Sequence, residues 1–230
     1  MKKWIKRIGL GLLALLIVAT AGFYIYTLDY SKAQSIAIEA KQSAVDQSKS
    51  IHAFLNETST IGIIFYPGGK VEATAYAPLC LQLSQTGVSV FLVDMPFNLA
   101  VFDIDAADRV RKLNPQIKTW FIAGHSLGGA MAYSHFEKRE TVYAGIILLA
   151  AYPLNKSDRP YLILKGSNDT VLDESKVAGF DSITIQGGNH AQFGDYGLQK
   201  GDGIATISAQ AQLDVTIGAI DDFVKANSGT

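Results

Sequence analysis

Residues 119–131 read TWFIAGHSLGGAM, and this stretch decides the fold. It opens as a short β-branched and aromatic run (119–123), too short for a helix, and closes in small residues suited to one. Between the two lies Gly124-His125-Ser126-Leu127-Gly128, a G-x-S-x-G in a strand-to-helix context. A serine on so sharp a turn takes strained dihedrals, and glycine neighbours let strand and helix approach closely while the hydroxyl projects. The turn also aims backbone N–H groups and the positive end of the next helix at one point, where a tetrahedral oxyanion would form. Ser126 is therefore the candidate nucleophile.

Outward from this turn the pattern repeats. Short apolar runs at 61–66, 88–93, 119–123, 144–150, 161–165 and 182–186 alternate with amphipathic segments, which predicts a parallel sheet with helical crossovers. Tyr76, Leu79, Cys80 and Leu83 form one helical stripe, closed by Gly87. Asp103 is placed to cap a second helix with Ala106, Ala107, Val110 and Leu113 inward, stopped by Asn114-Pro115. Ser208 is placed to cap the last, with Leu213, Ile217, Ile220 and Val224 as its stripe. Six core strands with helices on both faces make a doubly wound α/β domain over residues 61–227, with ligands expected at the carboxyl ends of the strands.

The segments GHSLGGAM (124–131), YPGGKVEATAY (66–76), DMPFNLAVF (94–102) and GGNHAQFGDYG (187–197) give the chain a resemblance to the α/β-hydrolase fold superfamily from about Ile61 to the C-terminus. Within it, the combination is similar to the small bacterial membrane-anchored hydrolases of the α/β-hydrolase-5 group. The resemblance implies a serine hydrolase of the carboxylesterase type acting on a small-molecule acyl substrate. An acyltransferase or a thioesterase would use the same residues, and a non-catalytic binding domain of the same fold is the reading from another class.

A serine hydroxyl needs a base within hydrogen-bond reach and a third group to hold that base in the right tautomer. Of the four histidines, His125 sits beside the nucleophile, His52 precedes the sheet, and His135 lies well down the helix after Ser126. His190, in a glycine-flanked loop after the last strand, remains. It matches the superfamily order of Ser, acid, His. Among the acids between Ser126 and His190, Asp169 follows a strand in Gly166-Ser167-Asn168-Asp169, and the superfamily's G-x-x-D segment points to the same residue. Asp173 is the alternative.

One oxyanion donor is expected to be the N–H of Leu127, and the second that of Gly69, in the loop after the first core strand. That loop has Pro67 where the superfamily usually has histidine. Lys70 and Glu72 either line the mouth or form a solvated pair. Only a short connection around 154–160 separates two core strands, so no cap domain is expected. The 194–203 loop and Phe97-Asn98-Leu99 are expected as walls of an open site that favours short, soluble acyl groups. The 194–203 loop has neither EF-hand spacing nor a Walker pattern, and no cofactor or metal is implied.

The N-terminus carries Lys2, Lys3, Lys6 and Arg7 before an uncharged run at 8–28, close to the ~20 apolar residues that cross a bilayer. Residues 1–28 read as a retained anchor with Phe23, Tyr24 and Tyr26 at its outer end; the competing reading is a signal peptide cleaved after Ala19-Thr20-Ala21. By the positive-inside rule either reading puts the rest outside the cytoplasmic membrane. Residues 29–60 read as stalk and lead-in, weakly helical at 33–45, with a short edge strand at 50–55. Of the net charge of −1, residues 1–32 carry +4, which leaves −5 on the remainder. No basic stripe with interleaved aromatics follows, which argues against nucleic acid as a partner. Cys80 is the only cysteine, so an internal disulfide and a CxxC site are both excluded.

Overall fold

Hydrophobic alternation with a period of two puts successive strand residues on opposite faces of a sheet, and here both faces are covered. The computed structural model describes residues 2–155 and 157–229; Met1, Thr230 and, within the 154–160 connection, Lys156 lie outside them. The chain divides into two units, Met1–Tyr30 and Ser31–Thr230. The first is one helix, α1 (Lys2–Leu28), whose stretch Lys6–Leu28 is long and apolar enough to cross a membrane. At 1.5 Å per residue those 23 residues span about 35 Å, against ~30 Å of bilayer hydrocarbon.

The second unit is built on eight strands: β1 (Val45–Ser48), β2 (Ile51–Phe54), β3 (Ile61–Tyr66), β4 (Ser89–Val93), β5 (Thr119–His125), β6 (Gly145–Leu149), β7 (Tyr161–Gly166) and β8 (Ile183–Ile185). Their spatial order is β1-β2-β4-β3-β5-β6-β7-β8. All pairs from β4 to β8 are parallel; β2 runs antiparallel to β4, and β1 antiparallel to β2. The chain leaves β3 to one side for β4 and returns to its other side for β5. That reversal opens a crevice at the carboxyl ends of β3 and β5, the place where open α/β sheets bind ligands.

Alternating residues of the strands feed two cores. Ile63, Phe65, Leu92, Phe121 and Leu149 face one way, onto α2 (Ser35–Lys41), α3 (Ala77–Gln85) and α7 (Ala209–Asn227). Ile64, Tyr66, Phe91, Ile122 and Leu148 face the other, onto α4 (Ala106–Leu113) and α5 (Leu127–Glu137). Each such side chain is worth about 1.5–3 kcal/mol when fully buried.

Several expectations hold and several need correction. Helix α3 buries Leu79, Cys80 and Leu83 as expected, with Tyr76 in the turn just before it, and Gly87 at φ 109° follows its end. Ser208 caps α7, its Oγ accepting the Ala211 N–H at 3.1 Å. Asp103 does not cap α4. The helix starts at Ala106 after Asp105, and Asp103 instead accepts a hydrogen bond from Arg109 at 2.8 Å. Leu113 is half exposed because buried Asn114 takes the inward place, donating to the Val110 carbonyl at 2.8 Å. The six expected strands become eight. The 50–55 segment supplies β2, which is interior and wholly buried, because β1 pairs along its outer edge. Residues 31–60 are accordingly part of the folded unit, not a stalk: Ser31 bridges to Val71, and α2, β1 and β2 pack onto the sheet. No cap domain stands among the described residues between β6 and β7.

Candidate active site

The turn after β5 is as tight as its sequence requires. Ser126 sits at φ 51°, ψ −121°, a sparsely populated conformation that costs about 1–3 kcal/mol and persists only where its surroundings hold it. They do: its N–H donates to the Leu149 carbonyl at 2.9 Å, and α5 starts at the next residue. A Cβ on Gly124 would lie 2.6 Å from the Gly128 backbone, and one on Gly128 would lie 2.1 Å from the Pro67 carbonyl oxygen. Glycine at both positions is what lets β5, α5 and the loop after β3 meet.

Ser126 and His190 line one cleft of about 310 Å³. His190 follows β8, and its side chain is almost free of solvent. Its Nδ1 is 2.9 Å from Oδ2 of Asp169, itself buried on the loop after β7. The carboxylate accepts there, so the proton of neutral His190 belongs on Nδ1 and the Nε2 lone pair is left free. Among the described residues that Nε2 is buried without a hydrogen-bond partner. The other oxygen of Asp169 accepts the N–H groups of Val171 and Leu172 at 2.8 and 2.9 Å. Burial works to raise the Asp169 pKa, but the hydrogen bond and charge of His190 and these two N–H groups outweigh it and hold it below 3.8. The alternative acid, Asp173, does not touch His190. It accepts the N–H and the hydroxyl of Ser175, capping α6 (Glu174–Val177).

His125 does not line the cleft; its ring packs on that of His190, with centroids 4.5 Å apart. Its Nδ1 lies 2.7 Å from the hydroxyl of Tyr76, which accepts the Gly68 N–H at 3.1 Å. Tyr76, whose pKa burial raises, keeps its proton and donates it to Nδ1. Burial first, and then the charge of His190, depress the His125 pKa well below 6.5, so its imidazole is neutral. This chain of buried bonds ties the loop after β3 to the nucleophile turn. In that loop Gly69 abuts Leu127: a Cβ on it would lie 2.6 Å from Leu127 Cδ2. Among the described residues neither the Gly69 nor the Leu127 N–H is used in a hydrogen bond.

His52 and His135 are occupied elsewhere. His52 lies between Asp46 and Asp94 at 2.5 and 2.9 Å. His135 bonds Asp105 and the Tyr143 hydroxyl at 3.0 and 2.8 Å. Asp105, Asp108 and His135 bring their ligand-type atoms within 4.8 Å of one another, but the Arg139 guanidinium contacts both carboxylates at 3.1 and 2.8 Å and takes the place a cation would.

The expected walls are corrected. The cleft is lined by residues that follow β6 and β7, including Tyr152, Leu154, Val171 and Leu172, and by neither Phe97-Asn98-Leu99 nor the 194–203 loop. The reason is topological: β6 and β7 follow β5 on one side of the sheet, whereas the 97–99 segment follows β4, on the opposite side of β5 beyond β3. Glu72 is not at the mouth, since its carboxylate accepts the Ala33 N–H at 3.0 Å; Lys70, at φ 58°, donates its N–H to the Asn98 carbonyl at 2.7 Å. Three residues that sequence reasoning missed hold the His190 loop. Gln212, fully buried on α7, bonds both backbone groups of Asn189, and Asp202 accepts the Ala191 N–H at 2.8 Å. Asn189 accepts the Gln192 N–H through its side chain. A polar residue in the apolar i, i+4 row of Gln212, Thr216, Ile220 and Val224 was the one signal available.

A family model described as the alpha/beta hydrolase family matches residues 62–214. No curated protein matches the chain. Among solved structures, Est1E from Butyrivibrio proteoclasticus with ferulic acid bound is similar at 14% identity and a TM-score of 0.59, over 81% of this chain and 99% of that one. A serine hydrolase without a lid from Xanthomonas campestris is similar at 16% identity and 0.53, over 76% and 88%. A monoacylglycerol lipase from Paleococcus ferrophilus is similar at 12% and 0.54, over 70% and 94%. At these identities the likeness is one of fold.

Proposed function

The chain belongs to the alpha/beta hydrolase family, and from that premise we propose that it is a serine hydrolase cleaving a carboxylic ester or similar acyl bond through an acyl-enzyme on Ser126. The observation that carries this reading is the buried Asp169–His190 pair, whose free Nε2 belongs to the same cleft as the strained Ser126.

In this mechanism Ser126 Oγ attacks the carbonyl carbon while its proton passes to His190 Nε2. Asp169 holds the imidazole by Nδ1 and stabilises the imidazolium. The carbonyl oxygen becomes an oxyanion facing the N–H groups of Leu127 and Gly69, in an environment where each such donor is worth about 3–4 kcal/mol to the transition state. Collapse breaks the bond to the leaving oxygen, which takes the proton from Nε2 and departs as the alcohol. Water then adds to the acyl-enzyme, giving a proton to Nε2, and the acid is released as that proton returns to Oγ. No cofactor or metal enters any step. Transfer to another alcohol or cleavage of a thioester would use the same groups.

Residues 1–28 fit a single-pass anchor, with the cationic N-terminus inside and the hydrolase on the extracytoplasmic side. The partners on this reading are the membrane and a small acyl substrate, with no role for nucleic acid. The test is a fluorophosphonate probe on the full chain in lipid nanodiscs. Labelling that vanishes in Ser126→Ala is expected; a folded chain that neither reacts with the probe nor turns over any ester fits a binding domain and overturns the proposal.

A further inference from the structure

The walls of the Ser126 cleft carry information that the triad does not. Ala130 on α5, Ala150 and Ala151 after β6, Leu154, Val171 and Leu172 present methyl and methylene groups around the serine and His190. At about 310 Å³ the cleft lies at the lower end of the ~300–1,000 Å³ typical of small-molecule sites. Among the described residues no lysine or arginine lines it. One exposed carboxylate does, that of Asp173, held in place by the N–H and hydroxyl of Ser175. As an exposed aspartate it is ionised at neutral pH, and the Ser175 bonds lower its pKa further.

On the serine-hydrolase reading the group that stays bonded to Ser126 through the acyl-enzyme is the acyl chain, and the cleft lined by Ser126, Leu127 and Ala130 is the space beside that bond. Resting on the serine-hydrolase reading, we propose that this cleft selects compact, uncharged aliphatic acyl groups and that Asp173 is the specificity determinant that rejects acyl chains ending in a carboxylate. Two effects act in the same direction. An anionic chain end gives up hydration against a largely aliphatic wall that, among the described residues, offers no counter-ion, and it meets a fixed negative charge at the rim. Near a protein surface the second effect alone amounts to about threefold to tenfold in binding, reduced by salt.

The test compares 4-nitrophenyl hexanoate with the 4-nitrophenyl monoester of adipate, six-carbon chains that differ by a terminal carboxylate. The full chain in nanodiscs, at pH 7.5, is expected to favour the hexanoate by about tenfold or more in kcat/KM. Asp173→Asn, which keeps the α6 cap, should narrow that ratio by about threefold, Asp173→Lys by about tenfold, and 0.5 M NaCl should narrow it in the wild type but not in Asp173→Asn. A wild-type ratio near one, or a ratio that neither substitution moves, overturns the proposal. Failure to cleave either ester in a chain that does react with the fluorophosphonate probe rejects this acyl specificity while leaving the nucleophile standing; failure of both rejects the hydrolase reading itself.

Discussion

The side-chain amide of Gln212 pairs with both backbone groups of Asn189: Nε2 donates to the carbonyl at 2.8 Å, and Oε1 accepts the N–H at 2.9 Å. Asn189 immediately precedes His190, so a helix on one face of the sheet holds the loop that carries the imidazole. Replacing Gln212 by Met keeps the volume but leaves two buried backbone groups without partners, each costing about 1–3 kcal/mol. Gln212→Met should therefore lower the melting temperature. It should also lower kcat about tenfold per fluorophosphonate-titrated site, with KM within twofold. An unchanged kcat per titrated site would make Gln212 structural only.

Asp169→Asn tests the acid. The new side chain can still accept the Val171 and Leu172 N–H groups through its oxygen, but it presents an NH₂ to His190 Nδ1. The imidazole then carries its proton on Nε2, the wrong tautomer for accepting one from Ser126. A fall in kcat on the order of 10³–10⁴ is expected, with folding preserved. Circular dichroism and steady-state kinetics on the same preparation check both halves, and a loss below tenfold would point to another acid.

Acid should destabilise the folded domain before it reaches the carboxylates. His125 is held well below 6.5 by burial and by His190, and burial also lowers His135. The unfolded chain binds protons at these positions that the folded chain refuses, so their contribution is complete above about pH 6.5 and is lost as pH falls. His52 acts oppositely. Burial opposes its charge, but Asp94 and Asp46 outweigh that and raise its pKa, so its contribution is complete below 6.5 and lost on the alkaline side. Two lowered histidines against one raised leave a net loss on acidification, up to ~1.4 kcal/mol per pH unit for each unmatched proton. Thermal melts from pH 7.5 to 5 should show it, and His125→Gln should flatten the slope. Stability that rises towards pH 5 would contradict this balance.

The anchor prediction concerns α1. Full-length protein should stay with membranes after alkaline carbonate extraction, and deletion of residues 1–30 should release an active domain. If the N-terminus of the mature protein begins at Gly22, the segment is a signal peptide and the chain is secreted.

How far the sequence went differs by element. The nucleophile turn was legible because its constraint is local: Gly124 and Gly128 are within two residues of Ser126, and the same few residues write both strand and helix. Most of the parallel strands were legible because burial on both faces leaves a continuous apolar run; β8, ITI and half exposed at the sheet edge, showed only an alternation. His190 and Asp169 were reached through chain order and position after strands, and only the folded sheet brings them to 2.9 Å. Strand β1, VDQS, has no apolar pattern of its own; it is a strand because β2 offers an edge to pair with, so the eight-stranded width and the loss of the stalk were tertiary decisions. The cleft walls depended on which strands lie beyond β5 on the β6 side of the sheet. Gln212 looked like one more helix residue until α7 packed beside the His190 loop. Neighbours along the chain enforce the features that backbone geometry and hydrophobic period can carry, and those could be read without the fold. Which distant polar groups meet was settled by packing alone, because a hydrogen bond across 23 residues leaves no periodic mark in the chain.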